Sequence, residues 1–382
     1  MAGIYIHIPF CKRICSYCDF YKTTVISIIP DFLKTLEKEL EIRRPYLQDE
    51  IIETVYIGGG SPSLLMPEQM LHLLERVRHL YRISGDCEIT LEANPDDLSV
   101  KFLQRLMADT PVNRLSIGIQ SFNDNDLLLL NRRHTAAQAL SCIKEARLAG
   151  FKNISIDLIY GLPGMKLQEW QKNLDLAFSL NIQHLSAYHL TIEPGTAFAR
   201  MVSHGLFNIA SEEESVNQFA ALRKIAGENG FIHYEISNLA RDGFFSRHNS
   251  NYWLQKKYLG AGPSAHSYDI ISRQWNISQV KKYIEAVSKG EVLFEREELN
   301  ATTRFNEHLM VSLRTMMGVD LEKIRMEFGE KWYRDFCKAI QPVINSGQMI
   351  REGSVCKMTE KGWLISDHII SGLIREGLQI TD

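Results

Sequence analysis

The chain has 382 residues, 45% hydrophobic and 23% charged, with 43 Lys and Arg against 46 Asp and Glu. That length can bury the cores of two or more domains, and the net charge of −3 excludes a global basic field that would gather nucleic acid or anionic lipid. No uninterrupted apolar run approaches the roughly 20 residues of a membrane span.

At the start, Met1-Ala2-Gly3-Ile4-Tyr5-Ile6-His7 has neither the basic nor the apolar region of a secretion signal, so a cytoplasmic location is expected. A β-rich run, Ile4 to Ile8, leads into Pro9 to Phe20, where three of the seven cysteines fall within eight positions. The C-x3-C-x2-C run of Cys11, Cys15 and Cys18 suits a 4Fe-4S cluster: short gaps wrap a loop of thiolates around one face of the cube, leaving the fourth iron without a protein ligand. Zinc sites normally use two ligand pairs, and no second pair with matching spacing follows. Cys15 and Cys18 alone make a thioredoxin-like C-x2-C, but that redox motif has no use for a third cysteine. The remaining Cys87, Cys142, Cys337 and Cys356 are scattered and make no disulfide framework, which fits a reducing compartment.

Further strand-like runs follow at Glu53 to Ile57, Glu88 to Glu92, Arg114 to Ile119, Asn153 to Ile159 and His184 to Leu190, separated by amphipathic helical stretches. Pro67 opens a stretch with Leu71, Leu74 and Val77 on one face, Ser99 precedes Leu103 and Leu106, and Thr135 with Gln138 forms a capping box before a helix stopped at Gly150. Strands alternating with helices imply right-handed crossovers and a parallel sheet. Six units predict an α/β fold built on an incomplete parallel (β/α)6 barrel over residues 1–195. Residues 196–300 are less regular and read as barrel-side elaboration, with a helix around Glu212 to Gly227, a strand around His233 to Ile236 and a glycine-rich turn at Gly260 to Gly262. Residues 301–382 predict a winged-helix-like domain: a helix containing Leu309, Leu313 and Met316, a second from Asp320, a third from Glu330 to about Asn345, strands at Gln348 to Arg351 and Val355 to Met358, and a final helix. Such domains often bind nucleic acid, but residues 300–382 carry 11 Lys and Arg against 11 Asp and Glu. A structural or partner-docking wing is therefore expected.

Residues suited to chemistry collect at the carboxyl ends of these strands, where ligands gather in parallel α/β folds. Gly58-Gly59-Gly60 after the second strand lets backbone approach a ligand closely, although a glycine turn after a strand is commonly only a turn. Glu92, before Asn94-Pro95, can accept hydroxyl groups or simply be a solvated strand-end acid. Gln120 ends the fourth strand. Arg132 or Arg133 can fork onto a carboxylate. Asp157 interrupts an apolar run, which is costly in a buried parallel strand unless the acid is paired or meets a ligand. Farther on, His248-Asn249-Ser250-Asn251-Tyr252-Trp253 joins an imidazole to aromatic rings that can wall in a macrocycle, although most histidines and aromatics are core or hydrogen-bonding groups. His266, in Gly262-Pro263-Ser264-Ala265-His266, is a second imidazole of the same potential.

The C-x3-C-x2-C spacing, with Tyr17 just before the last cysteine, resembles the signature of the radical S-adenosylmethionine superfamily. Its members chelate S-adenosylmethionine on the open iron and cleave it reductively to a 5′-deoxyadenosyl radical. Tyr5 to Cys11, Glu92 to Pro95, Ser116 to Phe122 and Asp157 to Gly164 together resemble one branch, that of oxygen-independent coproporphyrinogen III oxidase and the HemW-type heme chaperones, over nearly the whole chain. The resemblance implies Cys11, Cys15 and Cys18 on the cluster. It implies Tyr5, Tyr17, Gly59, Gly60, Glu92, Gln120, Arg132 and Asp157 around S-adenosylmethionine, with Ser61 where threonine is usual. The oxidase carries a fourth cysteine two positions after the third and an N-terminal extension. Here that position is Phe20 and the cluster motif begins at residue 11. The HNxxYW run at His248 to Trp253 matches the chaperone pattern, which implies heme held by His248.

The expected function is thus a heme chaperone that carries a 4Fe-4S cluster and S-adenosylmethionine and passes heme to acceptor proteins, with a homodimer among the states it allows. The competing reading is the oxidase, which abstracts hydrogen from a propionate of coproporphyrinogen III before decarboxylation. Radical modification of RNA is a third, disfavoured because it needs a basic surface.

Overall fold

Six parallel strands, each alternating apolar and polar residues, form the centre of the fold in the computed structural model, which describes residues 1–375. They are β1 (Ala2–Ile8), β2 (Ile51–Gly59), β3 (Arg82–Ala93), β4 (Arg114–Gln120), β5 (Asn153–Tyr160) and β6 (His184–His189), adjacent in sequence order. Ile4, Ile6, Ile57, Leu91, Leu115, Ile117, Ile154, Ile156 and Leu185 are fully buried, and the intervening positions are mostly polar. A parallel sheet covered by helices on both faces reads as continuous apolar runs, so period-two alternation marks a sheet with helices on one face and a polar, ligand-sized space on the other. That is the incomplete α/β barrel expected.

The helices form where the punctuation placed them. Ser99 accepts from the Phe102 amide to cap Val100–Asp109, and Thr135 and Gln138 close a reciprocal capping box on Ala136–Leu148 before Gly150, at φ +110°. In Pro67–Leu80 the buried stripe runs through Met70, Leu73, Leu74 and Val77; Leu71 is only half-buried.

Residues 196–300 do more than decorate the barrel, because their strands extend the same sheet to twelve. β7 (Ile232–Glu235) and β8 (Asn238–Ala240) continue it antiparallel beyond β6. β9 (Lys257–Ala261) pairs parallel with the free side of β1, and β10 (His266–Tyr268), β11 (Ser272–Asn276) and β12 (Phe294–Glu298) follow antiparallel. The glycine-rich turn expected at Gly260 to Gly262 is accordingly mostly strand. Gly260 and Ala261 belong to β9, and a side chain at Gly260 would collide with the His266 carbonyl; only Gly262, at φ +103°, makes the turn.

The C-terminal part holds helices Ala301–Ser312, Leu321–Phe328 and Glu330–Asn345 and a ribbon of Met349–Glu352 with Val355–Met358. A two-residue third strand, Val319–Asp320, pairs with the ribbon. The first helix stops before Met316 because the chain there bonds elsewhere: the Met316 amide donates to the Tyr234 carbonyl and the Ile236 amide to the Arg314 carbonyl, docking this turn on the β7 edge. The final helix is two, Glu360–Leu364 and Ser366–Leu373. No helix among the described residues is long and apolar enough to cross a membrane.

Candidate functional site

The loop after β1 is pinned by its own backbone. The Cys11 amide donates to the Thr23 carbonyl at 2.9 Å, the Thr23 amide to Pro9 at 2.7 Å and the Ser16 amide to Leu130 at 3.1 Å. Cys11, Cys15 and Cys18 thereby line one cavity of about 450 Å³ at the carboxyl ends of the parallel strands. No three His, Cys, Asp or Glu side chains among the described residues converge on a single metal ion. A cube that meets each sulfur through a different iron requires no such convergence, and three free thiols lining one cavity of this size are a donor set that fits it. Burial raises the Cys11 and Cys18 thiols above their ordinary pKa, so it is the charge of bound iron that would make them thiolates.

The glycine run does three separate jobs. A side chain at Gly58 would strike Glu92 and Tyr56, one at Gly59, with φ +110°, would strike the His7 ring, and one at Gly60 would lie 2.7 Å from the Phe10 carbonyl oxygen. At Gly60, just past β2, the chain therefore touches the backbone that delivers Cys11, and the Gly60 amide donates to the Ile8 carbonyl at 2.8 Å. Glu92 projects from β3 into the same cavity, taking the Tyr56 hydroxyl at 2.8 Å and the Gly59 amide at 3.0 Å. Burial raises its pKa, and these two donors oppose that rise.

Gln120 also lines the cavity. It sits at φ +68°, where β4 slips register against β5 between Gly118 and Gln120. A bulge of this kind re-aims a strand-end side chain. Asp157, on β5, receives the Ser116 hydroxyl at 3.4 Å, and burial together with the nearby Glu92 carboxylate lifts its pKa to about 7. Arg132 donates to Asn94 Oδ1, to the Gly118 carbonyl at 2.6 Å and to Cys15 Sγ at 3.4 Å, while its buried Nε finds no partner among the described residues. Arg133 differs: it is committed to Asp96 at 2.6 Å and Asp97 at 3.1 Å.

Of the expected residues, Cys11, Cys15, Cys18, Tyr17, Gly59, Gly60, Glu92, Gln120, Arg132 and Asp157 line this one cavity, and Tyr5 and His248 do not. Tyr5 lies on the neighbouring side of β1, its hydroxyl 3.0 Å from His7 Nδ1. His248 is buried behind it, Nδ1 bonded to Thr54 Oγ1 and Nε2 to the Tyr252 hydroxyl, both at 2.8 Å, with its ring stacked on Tyr56 at 5.0 Å. The imidazole expected to offer an open nitrogen has both engaged, and ligation there requires one of those bonds to open. Tyr56 and Tyr188, which no motif named, complete the polar interior together with Asn94 and Ser116, which the motifs contained without giving them a role. The period-two alternation of β2 to β6 was the signal that could have found most of them.

A second cavity, of about 530 Å³, opens on the other side of β1 and meets the first at Asp19 and Phe20, which line both. Its walls include Tyr5, Tyr252, Tyr258 and His266.

Comparison with known proteins places these features in context. Residues 5–177 match the radical SAM superfamily and residues 299–365 the HemN C-terminal domain. The chain is 32% identical to the heme chaperone HemW of Bacillus subtilis, over 98% of this chain and 100% of that one. It is also 32% identical to HemW of Lactococcus lactis, over 98% and 97%. With the mitochondrial radical S-adenosyl methionine domain-containing protein 1 of Bos taurus it shares 31% identity over 100% of this chain and 86% of the relative. The fold is that of the Escherichia coli radical SAM enzyme coproporphyrinogen III oxidase HemN, with a TM-score of 0.84 at 23% identity, covering 98% of this chain and 90% of that one.

Proposed function

Because the chain belongs to the HemW family of the radical SAM superfamily, we propose that it is a heme chaperone that holds a 4Fe-4S cluster and S-adenosylmethionine and delivers heme to acceptor proteins. The observation that carries this reading is the similarity to curated heme chaperones from end to end, through both the sheet and the C-terminal part. In this reading residues 1–195 hold the cluster and S-adenosylmethionine, 196–300 contribute the HNxxYW segment, and 301–382 form the docking wing.

Cys11, Cys15 and Cys18 hold three irons. When bound, the reduced cluster supplies an electron to the sulfonium of S-adenosylmethionine. The chain's own residues bind and orient. The Gly59–Gly60 backbone would hold the methionyl amino group and Glu92 would accept the ribose hydroxyls. Arg132, whose Nε has no partner among the described residues, would pair with the carboxylate, a charge-assisted contact compatible with its Nη2 bonds to Asn94 and Gly118. Tyr17 closes the cluster side, and Gln120 and Asp157 supply polar contacts on the strand side.

The oxidase reading draws on the shared fold, which at 23% identity speaks to architecture alone. Phe20, two positions after Cys18 and 66% exposed, fills the position at which the resemblance to the oxidase implied a fourth cysteine. Two measurements on anaerobically purified protein test the proposal. Hemin titration should give a saturable Soret band, and coproporphyrinogen III with S-adenosylmethionine and a reductant should give no protoporphyrinogen IX. Multiple-turnover decarboxylation would replace the chaperone with the enzyme.

A further inference from the structure

The second cavity has the make-up of a macrocycle site. Its volume, about 530 Å³, lies in the range of sites that enclose a cofactor-sized ligand. Rings dominate its walls, from Tyr5 on β1, Phe20 and Tyr21 in the cysteine loop, and Tyr252, Tyr258 and Tyr268 on the elaboration, while Met310 and Val311 of the helix Ala301–Ser312 close the far side. Flat aromatic walls suit a planar conjugated ligand.

Two imidazoles line it, and their nitrogens differ. His7 has Nδ1 against the Tyr5 hydroxyl at 3.0 Å and Nε2 against the Tyr21 carbonyl at 3.1 Å. His266, exposed at the start of β10, makes no side-chain hydrogen bond among the described residues, and its ring is set by stacking on Trp275 at 5.9 Å and 28°. The only cationic side chain among the lining residues is Arg273, 2.6 Å from Glu307 and partly solvent-accessible, where an incoming carboxylate can compete for it. His248, by contrast, does not line the cavity but stands behind two of its walls, holding the Tyr252 hydroxyl at 2.8 Å and packing its ring 6.4 Å from that of Tyr5.

Resting on the chaperone reading, we propose that the heme plane occupies this aromatic cavity, with His266 as iron ligand, Arg273 as partner of a propionate, and His248 as a positioning residue that fixes the Tyr252 wall. Phe20 then stands at the opening between the heme and cluster cavities, since it lines both.

The experiment is hemin titration of the anaerobically reconstituted full chain and of His266→Ala and Val311→Trp, followed by Soret absorbance and low-spin EPR, with iron-sulfur content and thermal melting read in parallel. His266→Ala should bind hemin roughly ten-fold or more weakly and lose the histidine-ligated spectrum, and added imidazole should restore that spectrum. Val311→Trp, which narrows the cavity while leaving both imidazoles in the sequence, should weaken binding to a similar extent and keeps the site testable should the first variant lose its fold. Hemin binding by the unaltered chain, with affinity and spectrum unchanged in both variants, would overturn this placement and leave the chaperone reading standing. No hemin binding by the unaltered chain would overturn both.

Discussion

Arg132 lies with its Nη1 3.4 Å from the Cys15 sulfur, although 117 positions separate the two residues. The contact joins the turn after the helix Asp124–Leu129 to the cysteine loop, and the same guanidinium fixes Asn94 just past the end of β3. Removing Arg132 should therefore separate two roles. In Arg132→Ala the three cysteines remain and iron content should stay near that of the unaltered protein. S-adenosylmethionine should bind about ten-fold or more weakly in calorimetry, the effect of losing about 1.5–3 kcal/mol of charge-assisted bonding. Arg132→Lys should recover only part of this, because an ammonium cannot make the forked contact. Full affinity in the alanine variant would remove Arg132 from the site.

The cysteines themselves carry the simplest expectation. Anaerobic reconstitution should load about one 4Fe-4S cluster per chain. Replacing Cys11, Cys15 and Cys18 together by alanine should abolish the broad iron-sulfur absorption. Iron and sulfide analysis that finds the original stoichiometry in the triple variant, or zinc in the unaltered protein, would contradict the assignment.

Gly60 tests whether the glycine run serves the cysteine loop as well as a ligand. A methyl group there would lie 2.7 Å from the Phe10 carbonyl and 2.9 Å from that of Ile8, both backbone atoms that cannot swing aside. Gly60→Ala should destabilise the apo-protein by about 1–3 kcal/mol through overpacking and lower cluster occupancy. Unchanged melting and unchanged iron content would mean the loop tolerates the shift.

Asp157 predicts a pH dependence of definite sign. Its pKa stands at about 7 in the fold against an ordinary 3.8, with burial the main cause and the Glu92 carboxylate the next. Between those values the folded state binds the extra proton, so its stability falls as pH rises through the interval and is level above it. Asp157→Asn removes this penalty. Its stability advantage in urea unfolding of the apo-protein should grow from about pH 4 to pH 7 and then stay constant. An advantage independent of pH would show that another group titrates.

His248 should act in the opposite direction. Burial lowers its pKa to about 3 from 6.5, so the unfolded chain takes up the proton first and stability is lost as pH falls from about 6.5 toward 3. His248→Ala should flatten that limb of the stability profile while costing about 2–3 kcal/mol at neutral pH, because the Thr54 and Tyr252 hydroxyls lose their partner. A variant as stable as the parent would mean those bonds contribute nothing.

The sequence by itself determined the six parallel strands with their helices and named the candidate residues at their ends, but it did not show the strands from Asn238 to Glu298. Short-range rules suffice for a capping box at Thr135 or a glycine stop at Gly150, and the cysteine spacing is local enough to propose a cluster loop without knowing where it lies. Strand alternation with helices likewise settled the parallel order of β1 to β6, because right-handed crossovers leave few alternatives. Tertiary structure decided what depends on partners distant in the chain. It placed Arg132 on the cavity and committed Arg133 to Asp96 and Asp97, a distinction between adjacent arginines that no spacing carries. It ended the helix at Ser312 because the next residues bond to the β7 edge, and it made Gly260 part of a strand because β9 pairs with β1. It also buried His248 between Thr54 and Tyr252 and left His266 facing an aromatic cavity. A motif names an imidazole, but whether its nitrogens are free is set by the fold: Tyr252, four positions on, takes one, and Thr54, 194 positions away, takes the other.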